Sequence, residues 1–160
     1  QLKRLPEFIE KRKENWNYLR SGLIESEDFL EFALPTHSTN WTSYKGFEWD
    51  DTKCKTECSW FGFKISVKKN APFTRTDLAK ILDNNKIGNR MLFGGNLIRQ
   101  PAFIELKKEN PDVYRVAVET TGSDQIMNDT LFLGTYPGLT KEMLDFEIET
   151  INSYISTFKN

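Results

Sequence analysis

Acid–base and nucleophilic chemistry needs a histidine, a carboxylate pair, an activated thiol or a metal, and this chain is poor in all of them. Its single histidine, His37, lies in the turn-like run Leu34-Pro35-Thr36-His37-Ser38-Thr39, with no adjacent Asp or Glu to orient the ring. A surface histidine is the reading that follows. Cys54 and Cys58, in Cys54-Lys55-Thr56-Glu57-Cys58, are spaced to share a metal, and His37 is the one residue that could join them. A closed zinc or iron–sulfur site uses four ligands, so reduced thiols, structural or incidental, are the simpler reading, with a local disulfide as the alternative under oxidation. No catalytic residue and no metal site are expected from these groups.

Recognition chemistry is better represented. In the run Asn89-Arg90-Met91-Leu92-Phe93-Gly94-Gly95-Asn96-Leu97-Ile98-Arg99-Gln100-Pro101, Arg90, Asn96, Arg99 and Gln100 surround Phe93. Guanidinium, amide and aromatic groups together are what a site for a phosphorylated sugar requires. Gly94-Gly95-Asn96 can bring backbone amides close to a ligand, although a plain turn uses the same residues, and Phe93 reads equally well as a core residue. The polar run Ser123 to Thr130 opens a short helix, and Tyr136-Pro137-Gly138-Leu139-Thr140 reads as a turn and helix cap.

These residues must be positioned by the elements around them. Leu2, Leu5, Ile9, Arg12, Trp16, Leu19 and Leu23 recur at spacings of three and four, placing six apolar side chains and one Arg on one face. With Pro6 in the first turn and Gly22 past the end, the helix is expected over about residues 6–21. Asp28 to Pro35 is a short apolar run that suits helix or strand, and Thr36 to Cys58 has no stable period and reads as a loop.

Trp60 to Lys68 alternates strictly and predicts a half-buried strand with Phe61, Phe63, Ile65 and Val67 on its buried side. Thr74 and Asp77 predict the start of a helix carrying Leu78, Ile81 and Leu82. Ile87–Phe93, Tyr114–Val118 and Leu131–Thr135 are three further expected strands. Thr140 caps a last helix striped by Leu144, Ile148, Ile151, Ile155 and Phe158. The fold class that follows is α+β, a small antiparallel or mixed sheet with helices packed on one face.

A length of 160 residues, 38% of them hydrophobic, fits one globular unit spanning 1–160. The 22 basic and 23 acidic residues leave a formal charge of −1, which gives nucleic acid no footprint. The basic stretch Lys11-Arg12-Lys13 is interleaved with Glu7, Glu10 and Glu14 and reads as a salt-bridged helix face. No apolar run or leader pattern points to a membrane, so a cytoplasmic protein is expected. The sequons at Asn40 and Asn128 read as chance. The chain opens on Gln1 already within an amphipathic pattern, which is expected of a cut end whose exposed helix face favours dimerisation.

Several separated motifs occur together in one order: Gln1-Leu2 through Leu5-Pro6 with Arg12, Ser59-Trp60-Phe61-Gly62-Phe63, Asn89 to Pro101, Tyr114-Arg115-Val116, and Asp124-Gln125-Ile126-Met127-Asn128-Asp129-Thr130 through Tyr136-Pro137-Gly138-Leu139. In this the chain resembles the nucleotide-sugar 3-dehydrases of lipopolysaccharide biosynthesis, in the DegT/DnrJ/EryC1/StrS sugar aminotransferase group of pyridoxal-phosphate (PLP) enzymes of fold type I. The likeness runs almost end to end here but covers only the last third or so of such an enzyme. It implies that this is the C-terminal small domain and that the large, cofactor-binding N-terminal domain lies upstream.

The resemblance further implies a parent that removes the 3-hydroxyl of CDP-4-dehydro-6-deoxyglucose, a step in deoxysugar synthesis. The parent would use pyridoxamine phosphate (PMP) and, in one branch, a [2Fe-2S] centre served by a reductase. Its histidine base, in place of the aminotransferase lysine, and its cluster cysteines belong upstream, and His37, Cys54 and Cys58 match none of them. Carried over by motif, Arg90, Phe93, Asn96 and Gln100 line the sugar side, with Arg115 and Asn128 as further candidates. The segment between Pro35 and Ser59 departs from the family pattern in being longer. This chain alone is then expected to be inactive and to bind no cofactor, and the parent is expected to be a homodimer. The alternatives are the same domain of a PLP-dependent sugar aminotransferase, or an independent binding or assembly domain.

Overall fold

A computed structural model describes residues 2–159; Gln1, with which the first motif begins, lies outside the described residues. Helix α1 (Leu5–Gly22) starts with Pro6 in its first turn, where proline's missing N–H costs no hydrogen bond. Trp16 and Leu19 on its inward stripe, and Leu23 just past its end, are buried, whereas Leu2 and Leu5 remain exposed. Arg12, the charged member of the stripe, donates from Nη1 to the Trp60 carbonyl at 2.9 Å, so its place among apolar positions serves a backbone acceptor. Its basic neighbours are salt-bridged as their spacing implies, Lys11 to Glu14 and Lys13 to Glu10 and Glu57.

The remaining elements follow in the order β1 (Leu30–Phe32), β2 (Ser38–Thr42), β3 (Gly46–Trp49), β4 (Gly62–Val67), α2 (Arg75–Asn84), β5 (Asn89–Met91), α3 (Pro101–Glu109), α4 (Thr121–Asp129), β6 (Thr130–Gly134) and α5 (Lys141–Ser156). Strands β1, β4, β6 and β5 make one antiparallel sheet in that order, with Phe32 opposite Ile65, Ile65 opposite Leu131 and Leu131 opposite Met91. Because side chains alternate across a strand, Phe63, Ile65, Leu131 and Leu133 share one face. They form a single core with Trp16 and Leu19 of α1, Leu78 and Leu82 of α2, and Leu144, Ile151 and Ile155 of α5. The expected α+β class, a small antiparallel sheet with helices on one face, is what the chain adopts.

Helix α2 begins in a reciprocal cap: Thr74 Oγ1 accepts from the Asp77 amide at 3.2 Å, and Asp77 Oδ2 accepts from the Thr74 amide at 3.0 Å. The Thr74 hydroxyl and amide hold the Asp77 carboxyl below its ordinary range.

Four expectations need correction. Tyr114–Val118 is not a strand: Val116 and Val118 stand exposed with no strand beside them, and the Tyr114 carbonyl accepts from Lys107 of α3 at 2.8 Å. Residues that favour strands pay off only against a neighbour, and this segment has none. The strand expected over Ile87–Phe93 shrinks to β5, because Phe93 turns to a φ of 53° and breaks the ladder. Phe61 precedes β4 and is 68% exposed, not part of its buried side.

The loop expected from Thr36 to Cys58 contains the β2–β3 hairpin, paired from Trp41 opposite Phe47. Its turn ends at Gly46 with a φ of 72°, a conformation that favours glycine. The hairpin is held by rings: Trp16 meets Trp41 edge-on at 5.9 Å and Phe47 at 5.2 Å, and stacks on Trp60 at 4.6 Å. Those partners are far apart in sequence, so local composition does not announce the hairpin.

Candidate functional site

The loop after β5 is built by its own side chains. Phe93 sits in the left-handed region with a φ of 53°, which costs a bulky residue roughly 1–2 kcal/mol that the surrounding contacts must offset. Gly95, with a φ of 61°, packs against α4 so closely that a Cβ there would stand 2.5 Å from Met127 Cγ. Asn96, 3% exposed, anchors the turn from inside. Its Nδ2 donates to Thr120 Oγ1 at 2.9 Å and to Asp124 Oδ1 at 2.7 Å, while its Oδ1 accepts from the Ile98 amide at 3.3 Å.

Arg99 donates to both oxygens of Asp124, from Nε at 3.2 Å and Nη2 at 3.1 Å, and Gln100 Nε2 donates to the Gly94 carbonyl at 2.7 Å. The Arg99 bonds, and then the Asn96 amide, hold the Asp124 carboxyl below its usual range. Asn96, Arg99 and Gln100 therefore spend their polar atoms fixing the loop, and the group they present outward is Phe93, which is 76% exposed.

Phe93 does not stand alone. Phe132 of β6 points to the sheet face opposite the core, and its ring lies 6.1 Å from Phe93 and 5.6 Å from Phe61, with Phe61 and Phe93 6.3 Å apart. Gly62 makes room for it, since a Cβ there would stand 2.4 Å from Phe132 Cδ2. Lys64 and Arg90 pair in register with Phe132 on either side, so the two cations and the ring project from the same face. Exposed aromatic surface beside two cations suits a ligand with apolar sugar faces and phosphate oxygens.

Of the residues singled out in the sequence, Arg90 and Phe93 lie in this patch, and Asn96 and Gln100 hold the loop that carries Phe93. Asn128 is exposed on the last turn of α4, next to the Met127 that backs Gly95. Arg115 is exposed in the irregular segment between α3 and α4. Sequence reasoning missed Phe61 and Lys64; the alternation of β4 does place Lys64 opposite the buried side, which was the available signal. A groove of about 800 Å³, lined by Arg4, Phe8, Tyr136 and Gly138, shares no residue with the patch.

His37 has a carboxylate after all: its Nδ1 lies 3.1 Å from Asp50 Oδ2, brought opposite by the hairpin. Thr52 first, and His37 after it, keep the Asp50 carboxyl below its ordinary range. The pair lies at the base of β2 and β3, on residues the aromatic patch does not share. Cys54 and Cys58 are free thiols, and burial pushes the Cys58 thiol up, away from the thiolate a metal or electrophile would require. Among the described residues no three His, Cys, Asp or Glu side chains converge as metal ligands. Two thiols and an imidazole engaged by Asp50 do not make the four-ligand set of an iron–sulfur cluster.

No helix among the described residues is long and apolar enough to cross a membrane. The sequence model of the DegT/DnrJ/EryC1/StrS aminotransferase family matches residues 1–152. The lipopolysaccharide biosynthesis protein RfbH of Salmonella typhimurium is 42% identical over 154 residues, covering 96% of this chain and 30% of that protein. The dTDP-4-dehydro-2,6-dideoxy-D-glucose 3-dehydratase of Saccharopolyspora spinosa is 34% identical over 156 residues, covering 98% of this chain and 29% of that protein. The chain thus spans about three-tenths of the length of these curated relatives. Among solved structures, the E. coli GDP-4-keto-6-deoxy-D-mannose-3-dehydratase with bound hydrated PLP superposes with a TM-score of 0.70 at 24% identity, over 94% of this chain and 32% of that one.

Proposed function

The chain belongs to the DegT/DnrJ/EryC1/StrS aminotransferase family, and from that premise we propose that it is the C-terminal small domain of a pyridoxamine-phosphate-dependent nucleotide-sugar 3-dehydratase, incomplete and inactive by itself. In this reading the parent removes the 3-hydroxyl of CDP-4-dehydro-6-deoxyglucose for the deoxysugars of surface polysaccharide. The observation that carries the role of this domain is Phe93, exposed in a left-handed conformation on a loop bolted to α4 by Asn96 and Asp124. An aromatic held outward at that conformational cost is suited to cover a ligand.

The cofactor, held upstream, supplies carbanion chemistry when bound. The work of this chain is enclosure. Phe61 and Phe93, backed by the buried ring of Phe132, exclude water from one side of the sugar, and Arg90 and Lys64 meet phosphate oxygens, whose attraction strengthens as water leaves. Asn96, Arg99 and Gln100 keep the covering ring in place. The Saccharopolyspora spinosa relative is named a 3-dehydratase, which favours the dehydratase over the aminotransferase reading. A histidine at the upstream base position supports it and a lysine there supports the aminotransferase.

The test uses the full-length protein. Phe93→Ala and Arg90→Ala are each expected to lower kcat/KM about tenfold, worth about 1.4 kcal/mol in transition-state binding. Unchanged kinetics in both variants would remove this face from the site. The 160-residue chain titrated with PMP is expected to leave the cofactor spectrum unchanged, and saturable binding would refute the claim that it is incomplete.

A further inference from the structure

Glu147 lies on the inward side of α5 and is 8% exposed, yet among the described residues its Oε2 has no hydrogen-bond partner. It lines a cavity of about 320 Å³ bounded by the Lys86–Gly88 turn before β5, Gly134 at the end of β6, and α5 itself. Tyr136, Met143 and Phe146 also line it and are half-exposed, so two aromatic rings and a thioether share the cavity with Glu147. None of these residues belongs to the Phe61–Phe93–Phe132 patch.

Burying a carboxylate without a partner costs several kcal/mol, and a complementary charge that reaches it offsets part of that cost. Two aromatic rings and a thioether in the same cavity favour one kind of visitor, because the face of an aromatic ring attracts organic cations. A phosphate or a sugar carboxylate would meet repulsion from Glu147. Lys86 lines the same cavity but gives Glu147 Oε2 no hydrogen bond, and its backbone φ of 61° belongs to the turn that shapes the wall.

We infer that this cavity is a binding site for an organic cation, an alkylammonium or guanidinium group, with Glu147 as counter-ion and Tyr136 and Phe146 as aromatic walls. The cation comes either from a free amine or from a lysine or arginine side chain of a polypeptide; the chemistry is shared. Burial pushes the Glu147 carboxyl up to about 7, so at neutral pH it is only partly ionised. The other titratable groups facing it are Lys86 from the turn and Tyr136 from the segment after β6. On the adjoining side of α5, Asp145 is engaged by Tyr18 of α1 at 2.5 Å and by Lys141 at 2.9 Å. The binding of a permanently charged cation therefore tightens with pH as Glu147 ionises, about tenfold from pH 6 to pH 8.

Ethylguanidinium chloride titrated into the ¹⁵N-labelled chain, against a sodium chloride control, is the direct test. Saturable shifts at the amides of Gly88, Gly134 and Glu147 are expected, stronger at pH 8 than at pH 6. Glu147→Gln is expected to weaken binding at least tenfold, while Lys86→Ala keeps or tightens it. Ethylurea, the same shape without the charge, is expected not to bind, a comparison that needs no variant to fold. The peptide acetyl-Gly-Arg-Gly-amide binding at least tenfold tighter than ethylguanidinium assigns the site to a polypeptide side chain, and equal affinity assigns it to free cations. Ethylurea binding as well as ethylguanidinium, undiminished binding in Glu147→Gln, or no saturable shift at all would overturn the inference. These outcomes are independent of the kinetics of Phe93 and Arg90.

Discussion

Replacing Glu147 with Gln should change how the stability of this chain depends on pH, and the size of the change can be worked out. The carboxyl is raised from an ordinary 4.5 to about 7 by burial in the folded state. A carboxyl whose folded value is raised contributes stability that is present below its unfolded value and lost as pH rises through its folded value, because the unfolded chain ionises first. At about 1.4 kcal/mol per unit, the full loss is on the order of 3 kcal/mol, of which about 2.5 kcal/mol falls between pH 5 and pH 8.

Asp77 and Asp124 are lowered in the folded state and lose their contributions only as pH falls below the ordinary carboxylate range, outside this window. Gln keeps the shape and cannot ionise, so Glu147→Gln should remove the slope. The assay is thermal unfolding of both chains at half-unit steps from pH 5 to pH 8. The difference in Tm is expected to widen by roughly 5–10 °C toward pH 8 in favour of the variant, as for a domain of this size. Parallel curves would refute the account of Glu147 as a buried carboxyl without a partner.

Asn96→Ala leaves Asp124 and Thr120 short of a donor inside the protein and should cost about 1–3 kcal/mol in urea unfolding, with faster amide exchange confined to residues 92–98. If exchange quickens evenly along the chain, the loop is not held in the way described. Trp16→Ala removes the ring that joins α1, the hairpin and Trp60, and should cost about 3–5 kcal/mol while loosening β2–β3 first. Hairpin amides protected as well as those of β4 in that variant would contradict the packing described.

The elements with strong local signals were legible in the residues. Trp16, Leu19 and Leu23 follow a helical period, Thr74 and Asp77 form the cap their spacing suggested, and Phe63, Ile65 and Val67 are the buried alternation of β4. Tyr114–Val118 failed as a strand for the complementary reason: composition favours an extended chain, but hydrogen bonds to a neighbour make a strand. The hairpin was hidden because Trp41 and Phe47 find their partner in Trp16 across the fold.

For the candidate site, types and spacing within one run marked Arg90, Phe93, Asn96 and Gln100 as candidates for recognition chemistry. Tertiary structure divided the labour among them: Asn96 turns inward to Asp124, Gln100 caps a carbonyl, and Phe93 faces out to meet Phe61 and Phe132. It also paired His37 with Asp50 and set Glu147 along a cavity wall, relations between segments that no local pattern contains. Sequence determines period, caps and chemical type because those act over a few neighbouring residues. Which polar atoms are spent inside the protein and which remain for a ligand depends on contacts made across the whole chain, and only the fold decides them.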